Sequence, residues 1–181
     1  MKSQDILLLL KLVSLEKQRA NEEQYSFRNL EAMTGISKSQ VSESLKRSLF
    51  VNLVANDRRS GVPAVNKKSL LEFVVHGLKY VFPVSPGALV RGIPTTFAAP
   101  GMSEHLMTAG ESIFVWPDAT GKEKGQAIAP LYKSVPKAVK QDPYLYVLLA
   151  LIDSIRTGRP REANLAAQLF EERLFEQRSF S

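Results

Sequence analysis

The chain contains no cysteine and only two histidines, His76 and His105. Without cysteine there are no disulfides, no thiolate nucleophiles and no metal site with a cysteine ligand, and we expect a cytoplasmic location. The HExxH, GxxxxGK(S/T) and GxSxG patterns of zinc, phosphate-loop and serine-nucleophile sites are also missing. The remaining acid–base candidates, Ser103, Glu104, His105 and Glu111, lie in a loop without fixed geometry. We therefore expect a protein that is not an enzyme and that uses neither a metal ion nor a cofactor.

Long hydrophobic runs are missing as well. The longest purely apolar stretches are residues 6–10 and 147–152, far short of the roughly 20 residues of a membrane-spanning helix. The N-terminal stretch is interrupted by Lys11, is followed by Glu16 and Lys17, and has no small-residue cleavage site. We interpret it as an amphipathic helix rather than an export signal, and we expect no membrane contact.

The composition is that of an ordinary folded protein with a basic excess. Of 181 residues, 44% are hydrophobic and 23% are charged, which excludes wholesale disorder and allows one domain or two small ones. The net charge of +6 favours a polyanionic partner. Residues 26–68 concentrate this excess, because only Glu31, Glu43 and Asp57 oppose their basic side chains. Those basic side chains are Arg28, Lys38, Lys46, Arg47, Arg58, Arg59, Lys67 and Lys68.

Hydrophobic spacing predicts three successive helices in the N-terminal part. The first covers residues 5–15. The second begins at Ser26, whose hydroxyl can cap the free amides of a first turn, and ends at Gly35. Ser37 is a suitable N-cap for the third helix. One face of the third helix carries Val41, Leu45, Ser48 and Leu49.

A β-hairpin and a fourth helix follow. Residues 53–55 and 63–65 are short and apolar enough for two paired strands. The turn-rich residues 56–61 between them carry two arginines. Asn66 or Ser69 can then cap the fourth helix.

Proline and glycine become frequent after residue 82. Eight of the ten prolines and six of the ten glycines fall within residues 83–143, which excludes long helices there. The same segment is too rich in large apolar residues for a solvated linker, so we expect irregular ordered structure with a few short strands. Residues 112–116 are the best strand candidate. Trp116 and Phe114 either form a core aromatic pair or line an effector pocket.

A helical hairpin is predicted at the C-terminus. Asp142 and Pro143 supply an N-cap and a first-turn proline for a helix that extends to residue 156. Gly158 can close this helix in the left-handed conformation. A second helix then covers residues 161–178.

Residues 30–47, LEAMTGISKSQVSESLKR, resemble the helix-turn-helix of bacterial winged-helix regulators of the MarR-like kind. Gly35 fits the left-handed turn between the two helices of such a motif. The positions that lock those helices together are apolar in this chain, namely Leu30, Ile36, Val41 and Leu45.

The resemblance concerns only the N-terminal region, where it implies both a fold and a function. It implies a winged helix-turn-helix domain in residues 1–82. Together with the irregular α+β region in residues 83–181, which ends in the helical hairpin, this gives an α+β fold. The function is a sequence-specific regulator of transcription that binds duplex DNA and controls its own gene. Because such modules usually bind two half-sites, we expect a homodimer, with an interface from the C-terminal helices or the first helix. Residues 83–181 then serve an effector, a protein partner or dimerisation.

By the same resemblance, the N-terminus of the third helix enters the major groove. Gln40 can pair with adenine and Glu43 can accept a hydrogen bond from cytosine. Arg58 and Arg59 correspond to the tip of the wing, which contacts the DNA backbone or the adjacent minor groove. Phosphate contacts are expected from Lys46, Arg47, Lys67 and Lys68. The complete set of DNA-binding candidates is Ser37, Lys38, Ser39, Gln40, Ser42, Glu43, Lys46, Arg47, Arg58, Arg59, Lys67 and Lys68.

Other interpretations of residues 26–68 stay open. They form a small helical bundle with a solvated charged face, or a winged helix that contacts proteins. The second case includes an antitoxin-like module that regulates its own operon while the middle region wraps a partner. A second basic stretch, residues 121–140, holds five lysines against one acid. It touches flanking DNA or an acidic partner, or it is a solvated loop edge.

Overall fold

The computed structural model describes residues 1–102, 104 and 112–176. Helices and short strands both occur, which confirms the predicted α+β class. The helices are α1 (Ser3–Lys17), α2 (Phe27–Thr34), α3 (Lys38–Phe50), α4 (Lys67–His76), α5 (Leu78–Val81), α6 (Val135–Ala138), α7 (Pro143–Thr157) and α8 (Pro160–Phe175). The strands are β1 (Val54–Asn56), β2 (Pro63–Val65), β3 (Leu89–Pro94), β4 (Phe114–Pro117) and β5 (Glu123–Ala127). No helix within the described ranges is long and apolar enough to cross a membrane.

Helix α1 lies at the centre of the fold and is buried on every side. Residues 4–15 are all buried. The sequence explains this, because residues 6–10 are apolar without a break and leave the helix no polar face to turn to water. The prediction of an amphipathic first helix is therefore wrong. Helices α2 and α3 and strand β2 pack on α1, and so does α7.

A buried polar cluster joins α1 to α7. Lys11 Nζ and Ser14 Oγ donate to Asp142 Oδ2 at 2.8 and 2.6 Å. Asp142 Oδ1 accepts from the Leu145 amide at 3.0 Å and so caps α7, as predicted. Burial by itself would raise the pKa of Asp142, but the hydrogen bonds from Leu145, Lys11 and Ser14 hold the pKa below its usual value.

The predicted hairpin and fourth helix are both present. Strands β1 and β2 pair antiparallel, with Val54 opposite Val65. Asn66, rather than Ser69, caps α4, because the Asn66 side chain accepts from the Ser69 amide at 3.2 Å. The helix breaks at Gly77, and α5 follows as a separate turn.

Strands β3, β4 and β5 close on one another beyond residue 82. Strand β3 pairs antiparallel with β4 and β5, and those two pair in parallel. The predicted strand at residues 112–116 is confirmed as β4, shifted toward the C-terminus. Trp116 of β4 is buried, donates through Nε1 to Asp153 Oδ2 at 2.6 Å, and lies against the Tyr146 ring at 5.5 Å. Trp116 is therefore a core residue and not part of an effector pocket.

Helices α7 and α8 form the predicted C-terminal hairpin. The left-handed conformation predicted for Gly158 is wrong, because this residue has φ −66° and ψ 150°. A glycine is needed at position 158 for a steric reason, because a Cβ there would lie 2.3 Å from the Ser154 carbonyl oxygen. The sequence predicts the second helix over residues 161–178, whereas α8 ends at Phe175. Residues 177–181 lie outside the described part of the chain.

Buried apolar side chains from both sides of residue 82 belong to one hydrophobic cluster. Leu30 and Val41 contribute from the N-terminal side, and Leu148 and Ile152 contribute from α7. The division into residues 1–82 and 83–181 stays a prediction. Whatever the N-terminal elements bind, they rest on a core that the C-terminal helices help to build.

Candidate nucleic-acid interface

The turn between α2 and α3 is tightly built. Ser26 Oγ caps α2 by accepting from one of its first-turn amides at 3.3 Å, and Gly35 ends the helix at φ 71°, both as predicted. Thr34 Oγ1 donates to the Leu30 carbonyl at 2.6 Å and accepts from the Ile36 amide at 3.2 Å. The apolar positions predicted to lock the two helices are all buried, namely Leu30, Ile36, Val41 and Leu45.

The N-terminus of α3 points into solvent without a side-chain cap. Ser37 occupies the N-cap position, but its hydroxyl makes no capping hydrogen bond and lies 3.3 Å from Ser39 Oγ. The prediction that the Ser37 hydroxyl caps α3 is therefore wrong. Amides in the first turn of α3 keep their hydrogen-bonding capacity for a ligand or for water.

The outer face of α3 carries most of the predicted groove-facing residues. Ser42 is half-buried, and the others are exposed, namely Ser37, Lys38, Ser39, Gln40 and Glu43. Lys38 makes no ion pair with any residue that the structure describes. Gln40 has a partner, because its Oε1 accepts from the Tyr132 hydroxyl at 3.4 Å. The sequence analysis missed Tyr132, which is 92 positions away along the chain.

Lys46 and Glu43 form an exposed ion pair on the same face. Lys46 Nζ lies 2.8 Å from Glu43 Oε1. The hydrogen bond and charge of Lys46 lower the pKa of Glu43. In the free protein, Lys46 therefore occupies one oxygen of an ionised Glu43 carboxylate, which keeps further acceptor capacity.

Arg47 faces the interior of the fold rather than the outer face of α3. Its Nε and Nη2 donate to Asp5 Oδ2 and Oδ1 at 2.9 and 2.7 Å, and Ser44 Oγ donates to the same buried carboxylate. Burial alone would raise the pKa of Asp5, but the hydrogen bonds from Arg47, Ser44 and the Lys2 amide hold the pKa below its usual value. Nε and Nη2 of Arg47 are thus engaged by α1, and the predicted phosphate contact of Arg47 stays a prediction.

The tip of the β1–β2 hairpin is ordered by Asp57. Asp57 Oδ1 accepts from the Arg59 amide at 2.9 Å, the Ser60 amide at 2.8 Å and Ser60 Oγ at 3.0 Å. Hydrogen bonds from Ser60 and Arg59 lower the pKa of Asp57. Arg58 and Arg59 are exposed, and neither guanidinium pairs with an acidic group in the described part of the chain.

A cleft of about 550 Å³ lies between α3 and the hairpin. Ser42 and Lys46 of α3 line one wall, and Ser60 and Gly61 of the hairpin tip line another. The structure thus brings the outer face of α3 and the predicted wing to one side of the molecule. Apolar side chains also line the cleft, namely Phe27, Leu45 and Leu49.

The apolar part of this surface was missed in the sequence analysis. The spacing of α2 predicts a buried Phe27, yet its exposed fraction is 45%. Leu49, predicted to face inward, is 37% exposed, and the next residue, Phe50, is 88% exposed. One feature of the sequence could have indicated this exposed apolar surface. Three large apolar residues, Leu49, Phe50 and Val51, follow one another at the end of α3, and a helix that packs on one side cannot bury all of them.

The two lysines at the start of α4 differ in their surroundings. Lys67 Nζ pairs with Glu16 Oε1 at 2.8 Å, so this lysine links α4 to α1. Lys68 is exposed and makes no ion pair within residues 1–102, 104 and 112–176. Both line a second groove on the other side of the hairpin.

Of the catalytic candidates, only Glu104 belongs to the described residues. Ser103, His105 and Glu111 lie outside the described residues. The described residues contain no group of three or more histidines and acidic side chains that could hold a metal ion. Phe114, unlike Trp116, lines a cavity of about 450 Å³ together with Phe97 and other residues.

No protein-family model matches the chain, and neither a curated protein nor a solved structure matches it. Any conclusion about function therefore depends on the residues of this chain and their geometry.

Proposed function

We propose that the protein is a sequence-specific regulator of transcription that binds duplex DNA through a winged helix-turn-helix in residues 1–82. One observation carries the proposal. The outer face of α3, through Ser42 and Lys46, and the tip of the hairpin, through Ser60 and Gly61, border the same cleft. Lys38 in the first turn of α3 and Arg58 and Arg59 at the hairpin tip are exposed and have no acidic partner among the described residues.

In this proposal α3 enters the major groove with its N-terminus first. The uncapped amides and Lys38 favour a phosphate at the groove edge. Ser39, Gln40 and Ser42 then face the base edges, and the Gln40 amide can donate to N7 and accept from the N6 amino group of one adenine.

Lys46 and the hairpin supply contacts without sequence preference. Lys46 exchanges Glu43 for a phosphate, which frees the Glu43 carboxylate for a cytosine amino group. Arg58 and Arg59 reach the backbone or the minor groove beside the site. Because surface ion pairs contribute little to stability, the exchange at Lys46 costs little.

We further propose that the protein binds as a homodimer and represses or activates its own gene. Two symmetric half-sites require two copies of α3 about one helical turn of DNA apart. Helix α1 is buried within its own chain, so the dimer surface comes from elsewhere, with the exposed parts of the C-terminal hairpin as the candidate.

Fluorescence anisotropy tests the proposal. The probes are a duplex from immediately upstream of the protein's own gene, a scrambled duplex of equal composition, and a pool of random duplexes carried through rounds of selection. Binding that prefers the upstream duplex or enriches one motif, and that weakens with salt, supports the proposal. Equal binding to all duplexes, or no binding, overturns it.

A protein-interaction role, as in an antitoxin-like module, is the second candidate. The observation that favours it is the exposed apolar group Phe27, Leu49 and Phe50 beside the cleft, since such patches mark partner surfaces. To test this role, the tagged protein is purified from its native cells. Co-purification of the product of a neighbouring gene in a stoichiometric ratio would support it. Substitution of Phe50 by serine should then release that product, whereas it should leave the DNA selectivity of a regulator intact.

A further inference from the structure

A segment of the C-terminal region sits directly on the turn between α2 and α3. Ser134 Oγ donates to the Thr34 carbonyl, and α6 contacts α2. Two residues earlier, the Tyr132 hydroxyl donates to Gln40 Oε1 at 3.4 Å. Residues 131–138, which we name the turn-contacting segment, therefore lie beside the N-terminus of α3.

Ser134 packs tightly against the turn between α2 and α3. A Cβ on Gly35 would come within 2.7 Å of Ser134 Cβ, closer than side chains approach in real structures. The segment is itself held in place, because the Val135 amide donates to the Tyr132 carbonyl and the Ala138 amide donates to the Ser134 carbonyl, both at 3.0 Å. A ligand that covers Gln40 therefore comes close to the turn-contacting segment.

The structure divides the second basic stretch of the sequence into different environments. Lys133 and Lys137 belong to the turn-contacting segment, are exposed, and make no ion pair with the residues described. Lys140 instead binds Asp118 and Thr120 at 3.3 and 2.9 Å. The remaining two, Lys122 and Lys124, are exposed on or just before β5, away from this segment.

We propose that the turn-contacting segment is a second part of the DNA-binding surface. In this assignment Lys133 and Lys137 contact backbone phosphates flanking the bases that α3 faces, and Tyr132 is a positioning residue for Gln40. The inference rests on the proposed function, because it names further contacts of the same site. Its ligand chemistry is the phosphate backbone of duplex DNA.

The role of Tyr132 follows from the geometry of adenine recognition. An amide that pairs with adenine must present its oxygen to the amino group and its nitrogen to N7. The side chain of a free glutamine samples several rotamers. The Tyr132 hydroxyl donates to one lone pair of Gln40 Oε1 and leaves the second lone pair for adenine. This contact restricts the rotamers of Gln40 before DNA arrives.

Salt-dependent anisotropy with two charge-matched double variants tests the phosphate contacts. The probe is the duplex that the wild-type protein selects from the random pool. Lys133→Ala with Lys137→Ala should reduce the slope of log Kobs against log salt by about 2, because each lysine released from a phosphate removes about one unit. Lys122→Ala with Lys124→Ala removes the same charge from a different surface and should leave the slope unchanged.

The outcomes separate the inference from the proposed function. If the wild-type protein selects no duplex, the proposed function fails and the inference fails with it. If the wild-type protein selects a duplex but the two double variants have equal slopes, the proposed function stands and the phosphate contacts are overturned. Thermal unfolding of each variant checks that the fold is retained.

Tyr132→Phe tests the positioning role. This variant keeps the ring and removes only the hydroxyl. It should lose part of the roughly fivefold to hundredfold discrimination that one bidentate base contact supplies, with no change in the salt slope. Gln40→Ala should remove that discrimination fully, and Tyr132→Phe in the Gln40→Ala background should then have no further effect. An unchanged preference in Tyr132→Phe, or an additive effect in the double variant, overturns the positioning role.

Discussion

Arg47 and Asp5 form a two-point ion pair that joins the second half of α3 to the first turn of α1. Arg47 Nε lies 2.9 Å from Asp5 Oδ2, and Arg47 Nη2 lies 2.7 Å from Asp5 Oδ1. The carboxylate is fully buried, whereas the arginine side chain is 28% exposed. Arg47 thus holds α3 against the first turn of α1.

Arg47→Ala should therefore destabilise the fold. Loss of the guanidinium leaves a buried carboxylate without its charged partner, and we expect the free energy of unfolding to fall by about 2–3 kcal/mol, the low end for a broken buried pair because Arg47 is partly exposed. Urea denaturation followed by circular dichroism measures the change. Lys46→Ala is the control, since it breaks an exposed pair on the same helix and should leave the midpoint nearly unchanged. Equal midpoints for both variants would contradict the assignment.

Asp142 predicts a loss of stability in acid. Its pKa in the folded protein is below the usual value of 3.8, so the folded state binds this proton less readily than the unfolded state. The stabilisation from the ionised carboxylate is complete well above pH 4 and is lost as pH falls through 3.8 toward the lower folded pKa.

Asp142→Asn imitates the protonated carboxyl and leaves the Lys11 ammonium without a counter-charge. At pH 7 the variant should be less stable than the wild type by about 3 kcal/mol. The difference should shrink as pH falls below 4, because the wild type then loses the same charge. Urea midpoints measured from pH 7 down to pH 2.5 test this, and a difference that stays constant with pH would refute it.

Gly35→Ala should destabilise the protein more than Gly61→Ala does. Both glycines have φ 71°, but only at Gly35 would a Cβ meet a neighbour, Ser134. We expect a loss of about 1 kcal/mol for Gly61→Ala from the left-handed backbone alone, and of about 2–4 kcal/mol for Gly35→Ala because the steric conflict adds to it.

A double variant isolates the steric part of the Gly35 effect. Ser134→Gly removes the side chain that the new methyl group would meet. Combined with Gly35→Ala, it should therefore destabilise the protein by less than the sum of the two single changes. Thermal unfolding of the wild type, the two single variants and the double variant gives a complete double-mutant cycle. If the two losses of stability simply add, the two positions do not touch.

Local signals explain why much of the fold was predictable from the sequence. Ser26, Asn66 and Asp142 each cap a helix through an amide three positions away, and Gly35 takes the left-handed conformation that its place between two helices indicates. These contacts span a few residues, so a short window of sequence contains all the groups involved.

The side-chain pairs that were missed join groups that are distant along the chain. Arg47 and Asp5 are 42 positions apart, and Tyr132 and Gln40 are 92 positions apart. Neither pair leaves a trace in spacing or composition. The burial of α1 is a different case, because the unbroken apolar run at residues 6–10 already showed that the helix has no polar face. Charge in the sequence indicated where cations are, and only the structure shows which of them are engaged.

Asp153 should be essential to the C-terminal core. Its carboxylate accepts from Trp116 Nε1 at 2.6 Å and Thr95 Oγ1 at 2.8 Å, and it pairs with Arg156 at 3.0 Å. Asp153→Ala leaves a guanidinium that is only 4% exposed without its charged partner, so we expect a loss of about 3–5 kcal/mol. Emission from Trp116, the single tryptophan, reports unfolding in urea. Asp118→Asn disturbs a more exposed pair and should leave the transition close to that of the wild type.

If the proposed function holds, Gln40 and the hairpin arginines should affect DNA binding in different ways. Gln40→Ala should relax the preference between the selected duplex and single-base variants by roughly fivefold to hundredfold, with an unchanged salt slope, because it removes a base contact. Arg58→Ala with Arg59→Ala should weaken binding to every duplex and reduce the salt slope by about 2, because guanidiniums on phosphates release counterions without regard to sequence. The two arginines are exposed at a tip that Asp57 holds through backbone amides and Ser60, so their removal leaves the hairpin intact. Anisotropy titrations at several salt concentrations separate the two effects, and a loss of sequence preference in the arginine variant with an unchanged slope would place the hairpin at the bases instead of the backbone.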